Sequence, residues 1–352
     1  MNSLFVVTRF SGSHREAARS SAEEPEAVVR PDRLKPVTTN PESHFPVPPL
    51  AFTSRAGYRN RMTPAPLTPS EAAAADALIR LALAEDLGDA GDRTSLATIP
   101  AATRSRAAFV ARAAGVVAGL PVAERVCRAV SADLTFAPAV PDGTATGRGT
   151  VLATVSGPLR AVLAAERTAL NFLQRLSGVA SLTRTFVDTA AGFPAKMLDT
   201  RKTTPGWRLL EKYAVRAGGG TNHRVGLYDG ILIKDNHLAG IGGDVRRAVE
   251  AARTYPGNAG LPVEVEVDTL DQLEHALAVR ADIVLLDNMS LEQLRAAVAR
   301  RDAVAPDVLL EASGGVNLAT VRDIAATGVD RISVGALTHS APALDIGLDY
   351  LS

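Results

Sequence analysis

Residues 263–288 read VEVEVDTLDQLEHALAVRADIVLLDN and contain the repeating unit that decides the fold. A β-rich run, Val263–Val267, is followed by a helical stretch, Leu270–Ala278, and then by a second apolar run, Ile283–Leu286. Strand, helix and strand at this spacing predict a parallel βαβ unit.

The same alternation recurs on both sides of this unit. Further strands are predicted at Lys196–Asp199, Val215–Gly218, Ile231–Lys234, Val308–Glu311 and Arg331–Val334. Helices are predicted between most of them, including Leu291–Arg300 and Leu318–Ala326. About seven parallel strands favour an incomplete α/β barrel. An open doubly wound sheet is the alternative, but no G-x-G-x-x-G motif follows the first strand.

An α+β domain of the open-sandwich type is predicted before the barrel. Thr68-Pro69-Ser70-Glu71 has the pattern of a helix start, with an N-cap threonine, a proline at the first helical position and a capping-box glutamate. This helix is expected to end near Leu87. A strand, a helix, a hairpin arm and a long helix are expected to follow at Ser105–Ala113, Val122–Val130, Gly147–Val155 and Leu159 to about Ser177.

The sequence divides the chain into four parts. Residues 1–65 are rich in proline, serine and charged residues without sustained periodicity, which predicts a disordered tail or an over-extended start with Met62 as the true initiator. A transit peptide is the alternative, which the glutamates of this segment disfavour. The other parts are the N-terminal α+β domain with its long linking helix, the catalytic α/β barrel, and a C-terminal helix packing back on the N-terminal domain, at residues 66–178, 179–340 and 341–352.

The composition narrows the class of protein. The chain has 352 residues and a net charge of +0, with hydrophobic and aromatic fractions of 46% and 4%. The neutral balance argues against nucleic acid or a membrane surface as a partner. The single cysteine, Cys127, excludes an internal disulfide and a cysteine-based metal cluster. Because no apolar run approaches the roughly 20 residues that span a bilayer, a cytoplasmic location is expected.

Polar residues fall where the predicted strands end. Charged or glycine-rich groups follow the strands at Asp199–Lys202, Lys234–His237, Asp287–Asn288, Glu311–Gly315 and Gly335–Ala336. In α/β barrels the active site lies at this carboxyl end, and the last two loops commonly bind phosphate. The small residues of the last two groups let backbone N–H groups approach phosphate oxygens, and a helix N-terminus adds a favourable field.

Cations concentrate between residues 199 and 237, opposite these glycines. Arg201 and Arg224, with Lys202, His223 and Lys234, are expected to hold a dicarboxylate and a polyphosphate together. The guanidinium group suits carboxylates because it donates two parallel hydrogen bonds. Residue 223 has a second interpretation, as a histidine that only makes structural hydrogen bonds.

Acids on neighbouring strands complete the predicted site. Glu266 and Asp287 can face the same mouth of the barrel, which suits ribose hydroxyls or a magnesium ion. Glu264 is the alternative to Glu266, depending on which of the two faces inward. His237 is left out of the site because it can equally cap a turn, and His339 is expected to be structural.

Seven motifs carry a family resemblance: DTRKTTPG, GGTNHR, LIKDNH, VEVEVD, VLLDN, EASGG and VGALTH. In this order and spacing they resemble quinolinate phosphoribosyltransferase, and the helix ERTALNFLQRLSG does so too. The resemblance covers roughly Thr68 to Tyr350, and the DTRKT-to-KDNH block is its most specific part. It implies phosphoribosyl transfer from phosphoribosyl pyrophosphate (PRPP) to quinolinate with decarboxylation, a step of de novo NAD biosynthesis.

The resemblance also implies roles for individual residues. Lys202, Glu266 and Asp287 would be catalytic. Quinolinate would be bound by Arg167, Thr200, Arg201, His223, Arg224 and Lys234. PRPP would be bound by Lys202, Asp235, Glu266, Asp287, Ser313, Gly314, Gly315, Val334, Gly335 and Ala336. Magnesium bound with PRPP, partly through Glu266 and Asp287, is the implied cofactor, with no nicotinamide or flavin. The implied homodimer has Arg167 completing the neighbouring active site.

Three other functions remain as alternatives. The first is a related phosphoribosyltransferase acting on another carboxylated heterocycle. The second is a Schiff-base aldolase that uses Lys234, and the third is a non-catalytic barrel protein. The chain departs slightly from the family pattern at Trp207, where a smaller apolar residue is commoner.

Overall fold

The structure is a computed structural model that describes residues 66–258 and 260–351. The tail predicted at residues 1–65, with the alternative start at Met62, lies outside the described residues. The N-terminal domain and the barrel belong to one compact unit.

The N-terminal domain begins with the predicted capping box. The Thr68 N–H donates to Glu71 Oε2 (2.9 Å) and the Glu71 N–H donates to Thr68 Oγ1 (3.3 Å). The first helix, α1, therefore spans Pro69–Leu87, as predicted. The elements that follow are α2 (Arg93–Thr98), β1 (Arg104–Ala111), β2 (Gly115–Val116), α3 (Leu120–Val130), β3 (Thr135–Pro138), β4 (Ala145–Thr146), β5 (Val151–Pro158) and α4 (Leu159–Thr189).

The linking helix α4 is longer than predicted and crosses the expected domain boundary at residue 178. The sequence places its end near Ser177, next to Gly178. A Cβ on Gly178 would lie 2.0 Å from the Pro342 carbonyl oxygen, so this glycine permits close packing and does not end the helix. Although α4 has 31 residues, neither it nor any other described helix is both long and apolar enough to cross a membrane.

The barrel domain follows α4 and alternates strands with helices. Its elements are β6 (Lys196–Leu198), α5 (Arg208–Ala217), β7 (Ile231–Ile233), α6 (Asp235–Ala239), α7 (Val245–Thr254), a 3-10 turn (Pro256–Asn258), β8 (Val263–Val267), α8 (Leu270–Ala278), β9 (Ile283–Asp287), α9 (Leu291–Val304), β10 (Leu309–Ser313), α10 (Val321–Ala325), β11 (Arg331–Ser333) and α11 (Ala336–His339). The last element of the chain is β12 (Ile346–Leu351).

Six parallel strands form the barrel sheet, in the order β6-β11-β10-β9-β8-β7. Strands β6 and β7 are its edges within the described residues, so the barrel is incomplete, as predicted. The prediction of a seventh strand at Val215–Gly218 is wrong. That segment ends α5, and its Gly218 N–H donates to the Ala214 carbonyl as the C-cap of this helix. Near its expected place, Thr221 forms a single parallel bridge with Leu198.

The C-terminal segment packs back on the N-terminal domain, but as a strand. Strand β12 pairs antiparallel with β1, from Ile346 opposite Ala111 to Leu351 opposite Arg106, and completes the sheet β12-β1-β5-β3. The helix predicted at residues 341–352 is therefore wrong. Apolar residues alternate with the others at Ile346, Leu348 and Tyr350, and this two-residue period is that of a strand.

Candidate active site

The register of β8 resolves the choice between Glu264 and Glu266. The two residues are two positions apart, so their side chains point to the same face of the strand. Glu264 contacts His223 and lies within 4.8 Å of Glu311, whereas Glu266 contacts Lys234. The prediction that only one of the two faces inward was wrong. Both side chains face inward, and they lie at different positions along the strand.

The strand ends bring the predicted catalytic acids to one rim. Glu266 is paired with Leu285 on β9, and Asp287 lies two residues further along the same face. Asp287 is in turn paired with Ser313 at the end of β10. Glu266, Asp287 and Ser313 therefore meet at the carboxyl end of the barrel, as predicted.

The buried carboxylate of Asp199 joins the two loops that carry the cations. It contacts the Lys212 ammonium group and accepts hydrogen bonds from Asn222 Nδ2 (2.6 Å) and the His223 N–H (2.9 Å). Lys212 also donates to the His223 carbonyl (2.9 Å). Because Asp199 and Lys212 are 0% and 1% exposed, removing one partner would leave a buried unpaired charge. This ion pair holds the loop after β6 against the loop that carries His223.

Lys202 lies beside the second predicted phosphate loop, at Gly335–Ala336. Its N–H donates to Thr200 Oγ1 (3.0 Å), and its carbonyl accepts from Thr338 Oγ1 (2.7 Å). A Cβ on Gly335 would lie 3.3 Å from Lys202 Cδ and 3.1 Å from His339 Nε2. His339, which the sequence treats as structural, therefore flanks the same loop. Its position in the VGALTH motif was the signal that could have found it.

The other predicted phosphate loop, Ser313–Gly315, packs closely against Asn288 at the end of β9. Gly314 has φ +91°, and a Cβ there would lie 2.1 Å from Asn288 Oδ1 and 2.9 Å from the Asn288 backbone nitrogen. The Asn288 N–H donates to the Ser313 carbonyl (2.9 Å), and Asn288 Nδ2 donates to Asp287 Oδ2 (2.6 Å). Only glycine leaves the space and the backbone freedom that this contact requires.

The electrostatic field that helix N-termini were expected to add at the two predicted phosphate loops is weak. The helix predicted from Leu318 begins only at Val321, because Asn317 and Thr320 close a turn before it. Helices α10 and α11 have five and four residues, too short for a full macrodipole. Any phosphate binding here must depend mainly on loop N–H groups and on side chains.

Lys234 and Glu266, which the resemblance assigns to different substrates, contact each other directly. Lys234 is about half exposed, with 46% of its side chain accessible, whereas Glu266 is buried. The Lys234 N–H donates to His237 Nδ1 (2.8 Å), so His237 caps the turn that begins α6. The predicted cation cluster and the predicted acid rim of Glu266 and Asp287 are thus adjacent.

His223 lies over two buried carboxylates. Its Nε2 is 3.1 Å from Glu264 Oε2 and 3.4 Å from Glu311 Oε1, and Arg331 Nε donates to Glu311 Oε2 (2.6 Å). Glu264 and Glu311 are 4% and 0% exposed. Because His223 and Arg331 already supply counter-charge, this cluster is an ion-pair network and not a cation site.

Opposing contacts act on the His223 ring. The Arg224 N–H donates to Nδ1 (2.7 Å), which favours the neutral ring. Unit charges 4 Å apart interact by about 4 kcal/mol at an effective dielectric constant of 20, whereas a neutral hydrogen bond contributes about 1 kcal/mol net. A charged ring carries a proton on Nδ1 and cannot accept from Arg224, so the two arrangements exclude each other. Although burial opposes the charge, the nearby carboxylates of Glu264 and Glu311 raise the pKa of His223 to about 9.

The guanidinium groups of Arg201 and Arg224 repel each other. Burial and then the charge of Arg201 lower the pKa of Arg224, whose Nη1 donates to the Gly230 carbonyl (3.0 Å). Two neighbouring cations of this kind are typical of an anion site. The remaining predicted residues, Arg167 and Asp235, are exposed on α4 and at the start of α6. No hydrogen bond within the described residues joins Arg167 to this cluster.

Comparison with protein families matches both domains. Residues 92–177 match the N-terminal domain, and residues 179–349 the C-terminal domain, of quinolinate phosphoribosyl transferase. The nicotinate-nucleotide pyrophosphorylase (carboxylating) of Mycobacterium leprae is 48% identical over 287 residues, covering 80% of this chain and 99% of that protein.

Solved structures have the same fold. The nicotinate-nucleotide pyrophosphorylase of Francisella tularensis has a TM-score of 0.74 at 38% identity, covering 79% of this chain and 96% of that chain. NadC from Streptococcus pyogenes has a TM-score of 0.75 at 40% identity, covering 82% of this chain and all of that chain. From its two matched domains, its relatives and its fold, this chain belongs to the quinolinate phosphoribosyltransferase family.

Proposed function

We propose that this protein transfers the phosphoribosyl group of PRPP to quinolinate with decarboxylation. The products are nicotinate mononucleotide, pyrophosphate and carbon dioxide, in de novo NAD biosynthesis. The observation that carries this proposal is the Lys234–Glu266 contact, which joins a cation cluster suited to a dicarboxylate with an acid and glycine rim suited to PRPP. An enzyme that joins two anionic substrates needs two such half-sites at one mouth.

The cation cluster supplies the quinolinate half-site. Arg201 and Arg224 would each hold a carboxylate through their paired N–H groups, with Thr200 beside them. Lys234 would complete the clamp by turning from Glu266 to the substrate. His223 lies beside these cations, where its Nε2 faces the carboxylates of Glu264 and Glu311.

The acid and glycine rim supplies the PRPP half-site. Lys202 would neutralise the leaving pyrophosphate, and the loops at Ser313–Gly315 and Val334–Ala336 would hold phosphate through backbone N–H groups. Asp235 lies on the same rim. Glu266 and Asp287 would stabilise the positive charge that develops on the ribose as pyrophosphate leaves.

The chemistry needs no covalent bond to the protein. The pyridine nitrogen attacks the anomeric carbon of the ribose as the bond to pyrophosphate breaks. The quaternised ring then accepts the electron pair of the C–C bond to the adjacent carboxylate, which leaves as carbon dioxide. The ring carbon takes a proton in its place. The protein holds two polyanions in line and stabilises the developing charge.

Magnesium fits the same rim. The ion commonly keeps one or two protein carboxylates and takes its other ligands from substrate phosphates and water. Glu266 and Asp287 are two carboxylates of this rim, and each has an oxygen in the contacts described above. Bound magnesium would offset the charge of pyrophosphate. Activity that persists unchanged in EDTA would contradict this assignment.

Gly314→Ala is expected to raise the KM for PRPP by about tenfold or more, because the added Cβ meets Asn288 and strains a residue at φ +91°. Steady-state kinetics with varied PRPP measure this. Gly315→Ala is the matched control, since Gly315 also has a positive φ, +62°, but a Cβ there has nothing within 4 Å. An equal effect of both substitutions would show that the Asn288 contact is unimportant.

A shared active site predicts complementation between two inactive variants. If Arg167 completes the neighbouring subunit's site, a dimer of Arg167→Ala with Asp287→Asn contains one site that carries neither change. Mixing equal amounts under subunit exchange should recover about one quarter of wild-type activity by random pairing. No recovery after demonstrated exchange would contradict the role of Arg167.

Substrate tests separate the alternatives. Wild-type protein with PRPP and magnesium should consume quinolinate and release carbon dioxide, but not use nicotinate, which lacks the carboxylate that leaves. Turnover of another carboxylated heterocycle in preference to quinolinate would favour the related transferase. Borohydride trapping of a carbonyl substrate on Lys234 would favour the aldolase.

A further inference from the structure

The loop after β6 carries one residue for each half of the proposed site. Arg201 would bind a carboxylate of quinolinate, whereas its neighbour Lys202 would neutralise the pyrophosphate of PRPP. Both residues are exposed, so their positions depend on how the backbone of the loop is held. Because a displacement of about 1 Å can cost about 100-fold in rate, the groups that hold this backbone affect the use of both substrates.

Glu211 on α5 holds the end of this loop. Its side chain is fully buried, with 0% exposure. Its Oε2 accepts the Thr204 N–H (3.0 Å), and its Oε1 accepts the Thr204 hydroxyl (2.8 Å). Both oxygens therefore bind the residue two positions after Lys202. The chemistry proposed for the site does not use this carboxylate.

Arg175 on α4 supplies the counter-charge of Glu211. Its Nη2 lies 2.6 Å, and its Nε 3.2 Å, from Glu211 Oε1. Only 25% of the Arg175 side chain is exposed. Removing one partner from a pair this buried would leave an uncompensated charge, which is strongly destabilising. The pair therefore fixes the Glu211 carboxylate against α4.

The guanidinium group of Arg175 also reaches the segment after the second phosphate loop. Its Nη2 donates to the Thr338 carbonyl, and its Nη1 donates to the Ala341 carbonyl (2.8 Å). Thr338 is 0% exposed. Its Oγ1 donates to the Lys202 carbonyl (2.7 Å) and lies 3.2 Å from the Gly335 carbonyl oxygen. Arg175 therefore holds the residue that joins Lys202 to the phosphate loop.

These contacts form a closed set. The loop from Lys202 to Thr204 is bound by Glu211 at its end. Glu211 pairs with Arg175, and Arg175 donates to Thr338. Thr338 donates back to Lys202. Through this set, the Arg175–Glu211 network, the loop that carries Arg201 and the loop that would bind phosphate share their supporting contacts.

We propose that Arg175 and Glu211 are positioning residues, which hold the loop after β6 against the phosphate loop at Gly335–Ala336. In this arrangement Arg201 and Lys202 receive quinolinate and PRPP in line. The inference rests on the proposed function for the identity of the two substrates. Arginine suits the position because its planar fork serves one carboxylate and two carbonyls, whereas lysine offers a single point charge. Neither positioning residue touches substrate in this account.

The first test is Glu211→Gln, which keeps the shape of the side chain and removes its charge. Both carboxylate oxygens accept hydrogen bonds, so either orientation of the amide turns its NH2 group toward a donor of Thr204 or Arg175. We expect quinolinate and PRPP each to bind about tenfold more weakly and kcat to fall by about 100-fold. Calorimetric titration of each substrate alone and initial rates at saturation measure these effects.

Asp330→Asn is the matched control. Asp330 precedes β11 at the amino end of the barrel, where its Oδ2 accepts from Arg301 Nη1 (2.6 Å) and from the Leu310 N–H (2.8 Å). It thus binds a guanidinium group and a backbone N–H, as Glu211 does. This variant should melt at a lower temperature but keep both affinities and kcat within about twofold of the wild type. If Glu211→Gln behaves in the same way, the pair only stabilises the fold and the proposal is overturned.

Arg175→Lys tests the network with the charge retained, including the case in which Glu211→Gln does not fold. Lysine places a positive charge beside Glu211, but its one nitrogen cannot replace the separate nitrogens that bind Thr338 and Ala341. The support of the phosphate loop is therefore weakened more than that of the loop after β6. The KM for PRPP should rise by about fivefold or more, and the KM for quinolinate should rise less. An unchanged KM for PRPP would overturn the proposal.

Amide hydrogen exchange without substrate separates this inference from the proposed function. Peptides that cover residues 200–204 and 335–341 should exchange faster in Glu211→Gln than in the wild type or in Asp330→Asn. Equal exchange in all three proteins would overturn the inference even if quinolinate is turned over. Failure of the wild type to bind quinolinate or PRPP, with faster exchange in Glu211→Gln, would instead overturn the proposed function.

Discussion

Arg201→Ala is expected to weaken quinolinate binding by about 100-fold or more while leaving PRPP affinity unchanged. Removing one partner of a charge-assisted pair that the bound substrate would bury costs roughly 2–5 kcal/mol, and each 1.4 kcal/mol is about a tenfold change in Kd. Arg201 also lies close enough for its charge to lower the pKa of Arg224, so both guanidinium groups can reach one ligand. Calorimetric titration of each substrate alone measures both affinities.

The control for Arg201 is a substitution of the same type away from the site. Arg300 is half-exposed on α9, where it pairs with Glu274, and Arg300→Ala should leave both affinities unchanged. If Arg201→Ala binds quinolinate within about twofold of the wild type, the carboxylate clamp is assigned to the wrong residues.

Asp287→Asn is expected to lower kcat by about 100-fold to 1000-fold with little change in quinolinate affinity. The carboxylate would stabilise charge that develops on the ribose only in the transition state, so its loss appears in kcat. Asparagine keeps the shape, and Asn288 Nδ2 still has an oxygen to which it can donate. Initial rates at saturating quinolinate and PRPP, with calorimetric binding of quinolinate, separate the two effects.

Asp307→Asn provides the matched comparison for Asp287. Asp307 precedes β10 at the amino end of the barrel, where its carboxylate is exposed and lies 3.6 Å from Arg280. This variant should retain wild-type kcat. A loss of less than about fivefold in Asp287→Asn would remove this residue from the catalytic group.

The sequence predicted the strands of the barrel well because each is a short apolar run that ends in polar residues. Val263–Val267 and Leu270–Ala278 have the predicted bounds, and β9 extends the predicted Ile283–Leu286 by one residue. Parallel strands buried on both faces give this signal without help from tertiary contacts. Because the active sites of α/β barrels lie at the carboxyl ends of the strands, Glu266, Asp287 and Ser313 were then predicted to lie on one rim.

The errors arose where tertiary contacts decide the local structure. Val215–Gly218 was predicted as a strand, but it forms the last turn of α5 and its C-cap. The C-terminal segment was predicted as a helix, whereas it completes the N-terminal sheet beside β1, whose edge would otherwise be unpaired. The C-terminal segment and its partner β1 lie far apart in the sequence.

The buried charged cluster of Glu264, Glu311 and Arg331 was not predicted, although the two-residue period of a strand points to it. Glu264 and Glu311 lie two residues before Glu266 and Ser313, which were predicted to face the mouth. Arg331 likewise lies two residues before Ser333 on β11. A period of two places each of them on the inward face. Their pairing with His223 could not be predicted, because it depends on the register of three strands.

The measurement that tests the central claim most directly is the stoichiometry of release from quinolinate labelled at the carboxylate next to the ring nitrogen. With PRPP and magnesium, the wild-type protein should release labelled carbon dioxide and pyrophosphate in equal amounts, with nicotinate mononucleotide as the other product. Quinolinate that is bound but neither decarboxylated nor joined to ribose would contradict the account. Pyrophosphate release without labelled carbon dioxide would also contradict it.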